Sequence, residues 1–409
     1  MELRCFKCGR RYPIDDLIYR CSSCSYPLEV EYDYEAISDA IDEETISRRK
    51  WTIWRYKEIL PVMKRSNIVS MEEGGAPLHK SRRLAQKLGF KNLYLKDETR
   101  NPTWSFKDRG SSVGVSKALE IGVKAVGCVS TGNMAASLAS YAAIAGMRCL
   151  LLVPLKTPLE KVGQMLISGA EVVSIDKPYH EINEVGLETS RDYGIYWVHN
   201  DAPMRVEGQK TSAFEICEQL GWMTPSKIII PTSSGGNFSA YWKAFKEMQS
   251  IGFTEDLPSM IVVQAEGCSP IVEAFKEGRE TTTPFKSPNT IVSSIANQSP
   301  PSGERVLKII KESDGLAEAS SDDEILEAQA LLARTEGLFA EPAGAAPIAV
   351  AKKLLENGTL DPGEIVVCVI TGSGLKDSKS AMKKCGEPSK AKTWGEYRGL
   401  VKKILVSNK

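Results

Sequence analysis

A lysine flanked by an aromatic ring, a carboxylate and a guanidinium stands in the stretch Asn101-Pro-Thr-Trp-Ser-Phe-Lys-Asp-Arg-Gly110. Ser105-x-x-Asp108 has the form of a helix cap, which predicts that Lys107 lies in the first turn of a helix. There the positive end of the helix dipole would help to lower an amine pKa from its usual value of about 10.4, as a lysine that forms Schiff bases requires. A solvated surface lysine fits the same spacing, so this stretch alone does not choose between the two.

Three further stretches follow runs of apolar residues. Val129-Ser130-Thr131-Gly132-Asn133-Met134 joins a β-rich run to an alanine-rich helix, a junction where α/β proteins place ligands, although an ordinary N-cap accounts for Asn133 equally well. Pro231-Thr-Ser-Ser-Gly-Gly-Asn237 combines small hydroxyls with two glycines before a helix, and this composition favours backbone N–H groups closing round a phosphate. Val369-Ile-Thr-Gly-Ser-Gly-Leu-Lys-Asp377 offers a hydroxyl, Thr371, that could reach a heterocyclic nitrogen. A bare turn explains it as well.

Four of the ten cysteines are crowded into the first 24 positions as Cys5-x-x-Cys8 and Cys21-x-x-Cys24. Paired knuckles so close together favour a tetrahedral thiolate site for zinc over a redox dithiol. The segment is too short to bury much core, so the metal would supply its folding energy and its role would be structural. Arg4, Arg10, Arg11 and Arg20 are balanced by Asp15, Asp16 and Glu29, which weakens a nucleic-acid reading. The remaining cysteines are scattered singly, the pattern of a reducing, cytoplasmic compartment.

Positioning these residues requires an alternating chain. Short β-branched runs at 125–130, 148–154, 171–175, 195–198, 227–231, 260–264 and 364–370 alternate with helical patterns at 135–145, 160–168, 207–220 and 323–335. Ser321 and Glu324 form a capping signal for the last of these helices. Such alternation predicts doubly wound α/β layers round largely parallel sheets. The chain of 409 residues has room for two or three domains. Its formal net charge of +0 gives no reason to expect nucleic acid or anionic membrane as partner, and no apolar stretch approaches a bilayer span. The tail, with Trp394, Tyr397, Leu400, Val401, Ile404 and Leu405 at helical spacing, is expected to pack one face on the body.

In this order the pieces resemble the threonine synthase branch of the fold-type II pyridoxal phosphate enzymes, the tryptophan synthase beta-like fold. The likeness spans nearly the whole chain, through Trp54-Arg-Tyr56, Gly75-Ala-Pro77, Lys96-Asp-Glu98, Arg205-Val-Glu-Gly208-Gln-Lys210 and Glu341-Pro342 besides the stretches above. It implies two doubly wound parallel-sheet domains plus a small zinc ribbon. The expected limits are 1–32 for the ribbon, 33–105 for an arm and the first part of the larger domain, and 106–204 for the smaller α/β domain. The larger domain resumes over 205–385, and a C-terminal helix covers 386–409.

The same resemblance implies that Lys107 carries the cofactor and shuttles protons, that Phe106 packs beside its ring and that Asn133 meets its phenolic oxygen. Ser233, Ser234, Gly235, Gly236 and Asn237 would hold its phosphate, and Thr371 would meet the pyridine nitrogen. The reaction implied converts O-phosphohomoserine and water into threonine and phosphate by γ-elimination and β-addition. Arg205, helped by Ser130 and Lys96, would clamp the substrate phosphate. His199, which is not the residue the resemblance expects, either joins that clamp as an imidazolium or simply ends a strand with a local hydrogen bond. A homodimer is the expected assembly.

The departures gather at the substrate end. Trp104 stands where members usually carry glycine or another small residue, Met134 where threonine is common and His199 where asparagine is expected, while 293–300 lacks the usual arginine and glycine. Two other readings follow. One is a related lyase or dehydratase acting on threonine, serine or another unphosphorylated amino acid. The other is a catalytically silent relative whose ribbon mediates contacts, against which the intact lysine stretch and phosphate loop count.

Overall fold

The structure, a computed structural model, describes residues 1–406 except 158, 178 and 201. Its strands are β1 Glu2–Cys5, β2 Arg11–Tyr12, β3 Leu28–Glu31, β4 Leu78–Lys80, β5 Asn92–Asp97, β6 Ala125–Val129, β7 Arg148–Pro154, β8 Glu171–Ile175, β9 Ile195–Trp197, β10 Lys227–Pro231, β11 Ser259–Ala265, β12 Leu316–Ser320 and β13 Ile365–Ile370. They form three sheets. A small antiparallel sheet, β2-β1-β3, makes the N-terminal module, and its Leu3, Leu28 and Val30 point into a core.

The larger sheet runs β12-β11-β10-β13-β5-β4 and is parallel except for the edge strand β4. The smaller sheet, β8-β7-β6-β9, is parallel throughout. Ile228, Ile229 and Ile230 of β10 and Val366 to Ile370 of β13 are buried on both faces. Continuous apolar runs of this kind are what a parallel sheet covered by helices demands. Ser321 caps the helix Asp322–Glu336 with the predicted reciprocal bonds to Glu324. Strands β5 and β12 carry no strong sequence signal. Lys96 and Asp97 in β5 are buried charges, and Leu-Ala-Glu-Ala-Ser in β12 is half helix-forming.

Two helices cross with backbone against backbone. A Cβ on Gly208 of the helix Pro203–Gln219 would lie 2.0 Å from the Arg109 carbonyl oxygen. A Cβ on Gly110 of the helix Lys107–Glu120 would lie 2.9 Å from the Arg205 carbonyl oxygen. Only glycine permits that approach. Buried charges join the same layer: Glu207 pairs with Lys210 and Lys243, and Tyr32, following β3, donates to Glu207 at 2.8 Å. The N-terminal module is thereby tied to the body.

The tail departs from expectation. The helix Trp394–Val406 forms, but none of its residues is buried, and Trp394 is 80% and Leu405 79% exposed. Helical spacing specifies an apolar face, not a surface for it to meet.

Candidate active site

The parallel strands β10, β13 and β5 are neighbours and end on the same side of the larger sheet, so the loops after them gather there. Chain order runs outward from β10 through β11 to β12, whereas β13 and β5 lie on the other flank of β10. The loops after β10 and β13 therefore straddle the point where the order reverses. In the smaller sheet β7 and β8 lie on one side of β6 and β9 on the other. Ser130 to Asn133 follow β6, and His199 to Arg205 follow β9. Diverging loops leave such crevices open to ligands.

Lys107 opens the helix Lys107–Glu120, as predicted, but Ser105 does not cap it. The Ser105 hydroxyl has no partner among the described residues. Asp108 instead accepts from the Thr103 N–H and the Ser137 hydroxyl, both at 2.6 Å, and so anchors the loop ahead of the lysine. Backbone contacts stitch that loop to the one after β13: Ser105 bridges Gly372, and the Phe106 N–H donates to the Thr371 carbonyl at 3.1 Å. Trp104 lies at φ +66°, with its carbonyl accepting from the Ser373 N–H at 3.0 Å. A side chain in this left-handed region costs about 1–2 kcal/mol, which glycine would not incur.

Lys107 is half-buried, and its Nζ lies 4.0 Å from the centre of the Phe106 ring. Burial holds its pKa well below the usual lysine range, the Arg205 charge lowers it further and Glu341 offsets part of this. A depressed pKa enlarges the neutral, nucleophilic fraction of such an amine. Thr371 is buried, its carbonyl held by the Phe106 N–H. Asn133 opens the helix Asn133–Ile144 and donates through Nδ2 to both Glu341 oxygens, at 3.0 and 3.2 Å.

Glu341 received no role from the sequence. It occupies the N-cap of the helix Pro342–Glu356 without capping it. That is itself a signal, because Ser, Thr, Asp and Asn are the side chains that N-caps favour.

In the loop after β10, Gly235 is left-handed at φ +95° and the helix Gly236–Ser250 begins at once. Ser234 is buried, and its hydroxyl accepts from Asn297 at 2.9 Å; Ser233 is half-buried. The Asn237 amide has both its nitrogen and its oxygen screened from solvent and unpartnered among the described residues. A screened polar group beside a glycine-opened helix start suits an anionic group such as a phosphate. Together with a desolvated lysine against an aromatic ring, these residues fit pyridoxal phosphate.

At the other end Arg205 is buried, and its Nη1 donates to the His199 carbonyl at 3.1 Å. With the Gln209 amide oxygen turned toward it, Nε and Nη2 donate there at 3.1 and 3.3 Å. The His199 ring stands edge-on to Tyr19 of the N-terminal module, with ring centres 5.0 Å apart. Ser130 is half-buried near its own loop, accepting from the Gly132 N–H at 3.3 Å. Met134 packs in the core.

Lys96 is a correction. It is fully buried and donates to Glu215 and to the Ala76 carbonyl, each at 2.7 Å, and to Gln219 at 3.1 Å. Its charge is spent on Glu215, which Arg109 also grips, so it is no part of a phosphate clamp.

The sulfurs of Cys5, Cys8, Cys21 and Cys24 all lie within 4.8 Å of one another, with Cys5–Cys24 at 3.4 Å and Cys8–Cys21 at 3.5 Å. Zinc–sulfur bonds of about 2.3 Å give a tetrahedron with edges of about 3.8 Å, so the four thiols fit that ion.

Residues 69–372 match the family model for pyridoxal-phosphate dependent enzymes. Threonine synthase of Methanocaldococcus jannaschii is 47% identical over 95% of this chain and 96% of its own length. Threonine synthase of Methanosarcina acetivorans is 43% identical over 95% of each. Among solved structures, the processed form of threonine deaminase isoform 2 from Solanum lycopersicum superposes with a TM-score of 0.66. It covers 90% of this chain and 96% of that one at 21% identity, a likeness of fold. With its lysine, asparagine and serine–glycine loops disposed about one crevice, the chain belongs to the threonine synthase family of pyridoxal-phosphate dependent enzymes.

Proposed function

We propose that the chain converts O-phosphohomoserine and water into threonine and phosphate, a carbon–oxygen lyase reaction of amino-acid biosynthesis, with pyridoxal phosphate held at Lys107. The observation that carries this reading is the desolvated Lys107 amine, set against Phe106 and within electrostatic reach of the buried Arg205. Bound there, the cofactor supplies an electron sink that acidifies carbon–hydrogen bonds near the substrate amine.

The chain's own residues do the rest. Phe106 flanks the ring, Asn133 faces its oxygen and Thr371 offers a neutral hydroxyl to its nitrogen. Backbone amides of Ser233, Ser234, Gly235, Gly236 and Asn237 take the cofactor phosphate. Lys107 Nζ, neutral in part of the working pH range, accepts and returns protons at the substrate carbons. Arg205 directs its guanidinium to the phosphate that leaves, with Ser130 beside it and His199 holding it through the backbone.

The reading extends to the N-terminal module and the assembly. Cys5, Cys8, Cys21 and Cys24 bind one structural zinc, which metal analysis would find at about one ion per chain. Residues 106–204 form the smaller domain, and the active species is a cytoplasmic homodimer. Among the described residues no helix is long and apolar enough to cross a membrane.

The deciding experiment supplies O-phosphohomoserine and measures phosphate and threonine together. Equal release of both supports the reading. Release of 2-oxobutanoate from threonine, with no threonine formed from the phosphoester, would instead establish a dehydratase.

A further inference from the structure

Lys107 is the one group given proton work above, yet a second titratable side chain shares its site. Glu341 is 7% exposed, and its backbone N–H is fixed to the Gly372 carbonyl at 2.9 Å. Among the described residues only the Asn133 amide donates to its carboxylate.

Other buried acids are better supplied. Glu98 and Glu215 share Arg109, Glu207 has two lysines, and Glu73 accepts from Trp54, Ser70, Met71 and Tyr141. A carboxylate kept buried with so little support is costly unless it serves the site.

The surroundings are shaped to keep it there. A Cβ on Gly372 would lie 2.8 Å from Glu341 Oε1 and 3.3 Å from Asn133 Nδ2, so a side chain at 372 would break the pair. The charged groups facing the carboxylate are Lys107 from the lysine helix and Lys376 and Asp377 from the segment after β13. Arg205 acts on Lys107 with the opposite sign to Glu341.

We propose that Glu341 is a positioning residue for the reaction: it aims the Asn133 amide and places a negative charge beside the Lys107 nitrogen. This rests on pyridoxal phosphate being held at Lys107. Burial raises the carboxyl pKa, while Asn133 and the two lysines pull it back. The ionised carboxylate favours a proton on the Lys107 nitrogen, opposing Arg205, and the neutral carboxyl does not. Removing the charge therefore lowers the pH at which that nitrogen loses its proton.

The test compares wild type, Glu341→Gln and Glu341→Asp, each loaded with pyridoxal phosphate. The visible absorption is titrated with pH, and cofactor affinity is measured by adding it back to the apoprotein. Glu341→Gln keeps the size and hydrogen-bonding capacity, so it should fold and still bind cofactor. Its absorption midpoint should fall by about one pH unit and its kcat by about tenfold or more, with KM changed much less. Glu341→Asp should recover part of the midpoint shift. A Glu341→Gln midpoint equal to that of yellow wild type would overturn the role of Glu341 alone. A wild type that shows no visible band with added cofactor would overturn the Lys107 reading and this one with it.

Discussion

Two lysines only eleven positions apart in sequence sit in opposite environments. Lys96, on β5, is fully buried with its charge met by Glu215, a carbonyl and an amide. Burial lowers its pKa and Glu215 offsets much of that. Glu215 in turn is pulled down to about 2, because Arg109 and Lys96 outweigh its own burial. Lys107 borders the crevice with an aromatic ring and an arginine for company, and no carboxylate is paired with it among the described residues. Burial alone does not make a lysine reactive. The difference lies in how fully the counter-charge is supplied: Lys96 is ion-paired with Glu215 at 2.7 Å, whereas at Lys107 the unpaired charge of Glu341 offsets only part of what burial and Arg205 impose.

Exchanging the roles should fail in different ways. Lys107→Ala should lose the visible absorption of added cofactor and about 10⁴-fold or more in kcat, while its unfolding midpoint in denaturant stays near that of the wild-type apoprotein. Lys96→Ala should do the reverse. It leaves Glu215 short of one cation and should cost about 3–5 kcal/mol in denaturant unfolding, while the folded fraction still binds cofactor. If Lys96→Ala instead left stability untouched and raised KM alone, Lys96 would belong to the clamp after all.

Arg205→Ala sharpens the contrast from the other side. Losing a charged hydrogen-bond partner should raise KM for the phosphorylated substrate about 10- to 100-fold, as kinetics on O-phosphohomoserine would read. The same change should move the Lys107 amine back toward the usual lysine range, since the Arg205 charge helps to depress it.

The smallest effect is on stability against pH. Above its unfolded pKa of about 10.4, the Lys107 amine is neutral in both states and burying it carries no charge penalty. As pH falls below that value the unfolded chain takes up a proton that the folded chain refuses, so stability declines until the depressed folded pKa is passed. Lys107→Met should remove this component. Its stability relative to wild-type apoprotein should therefore grow as pH is lowered from about 10.4.

Much of this architecture was legible in the sequence. Apolar runs gave seven strands close to their limits; in β10 and β13, buried on both faces, no other composition is available. The position of Lys107 at a helix start was also legible, though Ser105 does not cap the helix. Asp108 had been read as half of a cap, and it is spent on Thr103 and Ser137, partners that come from outside the local pattern. Lys96 misled for a related reason: the resemblance makes it a helper of the clamp, whereas its partner Glu215 lies far along the chain and is brought in only by folding. The tail failed in the opposite direction, with a helix that forms but buries none of its residues. Glu341 needed a contact of more than two hundred residues in sequence separation to show its place.

The glycine crossing sets a spacing that no side chain controls. Gly110 stands one turn beyond Lys107, and Gly208 one turn beyond Arg205. The amine and the guanidinium are therefore mounted on two rods that touch at a hard joint of peptide backbone. Backbone contact does not change rotamer, so the spacing of the two helices keeps its length while side chains around them vary. Neighbouring residues such as Trp104 can then change without resetting the spacing of the two helices that carry Lys107 and Arg205. Widening that joint by one methyl group would displace both at once, and a misplacement of about 1 Å can cost about 10²-fold in rate.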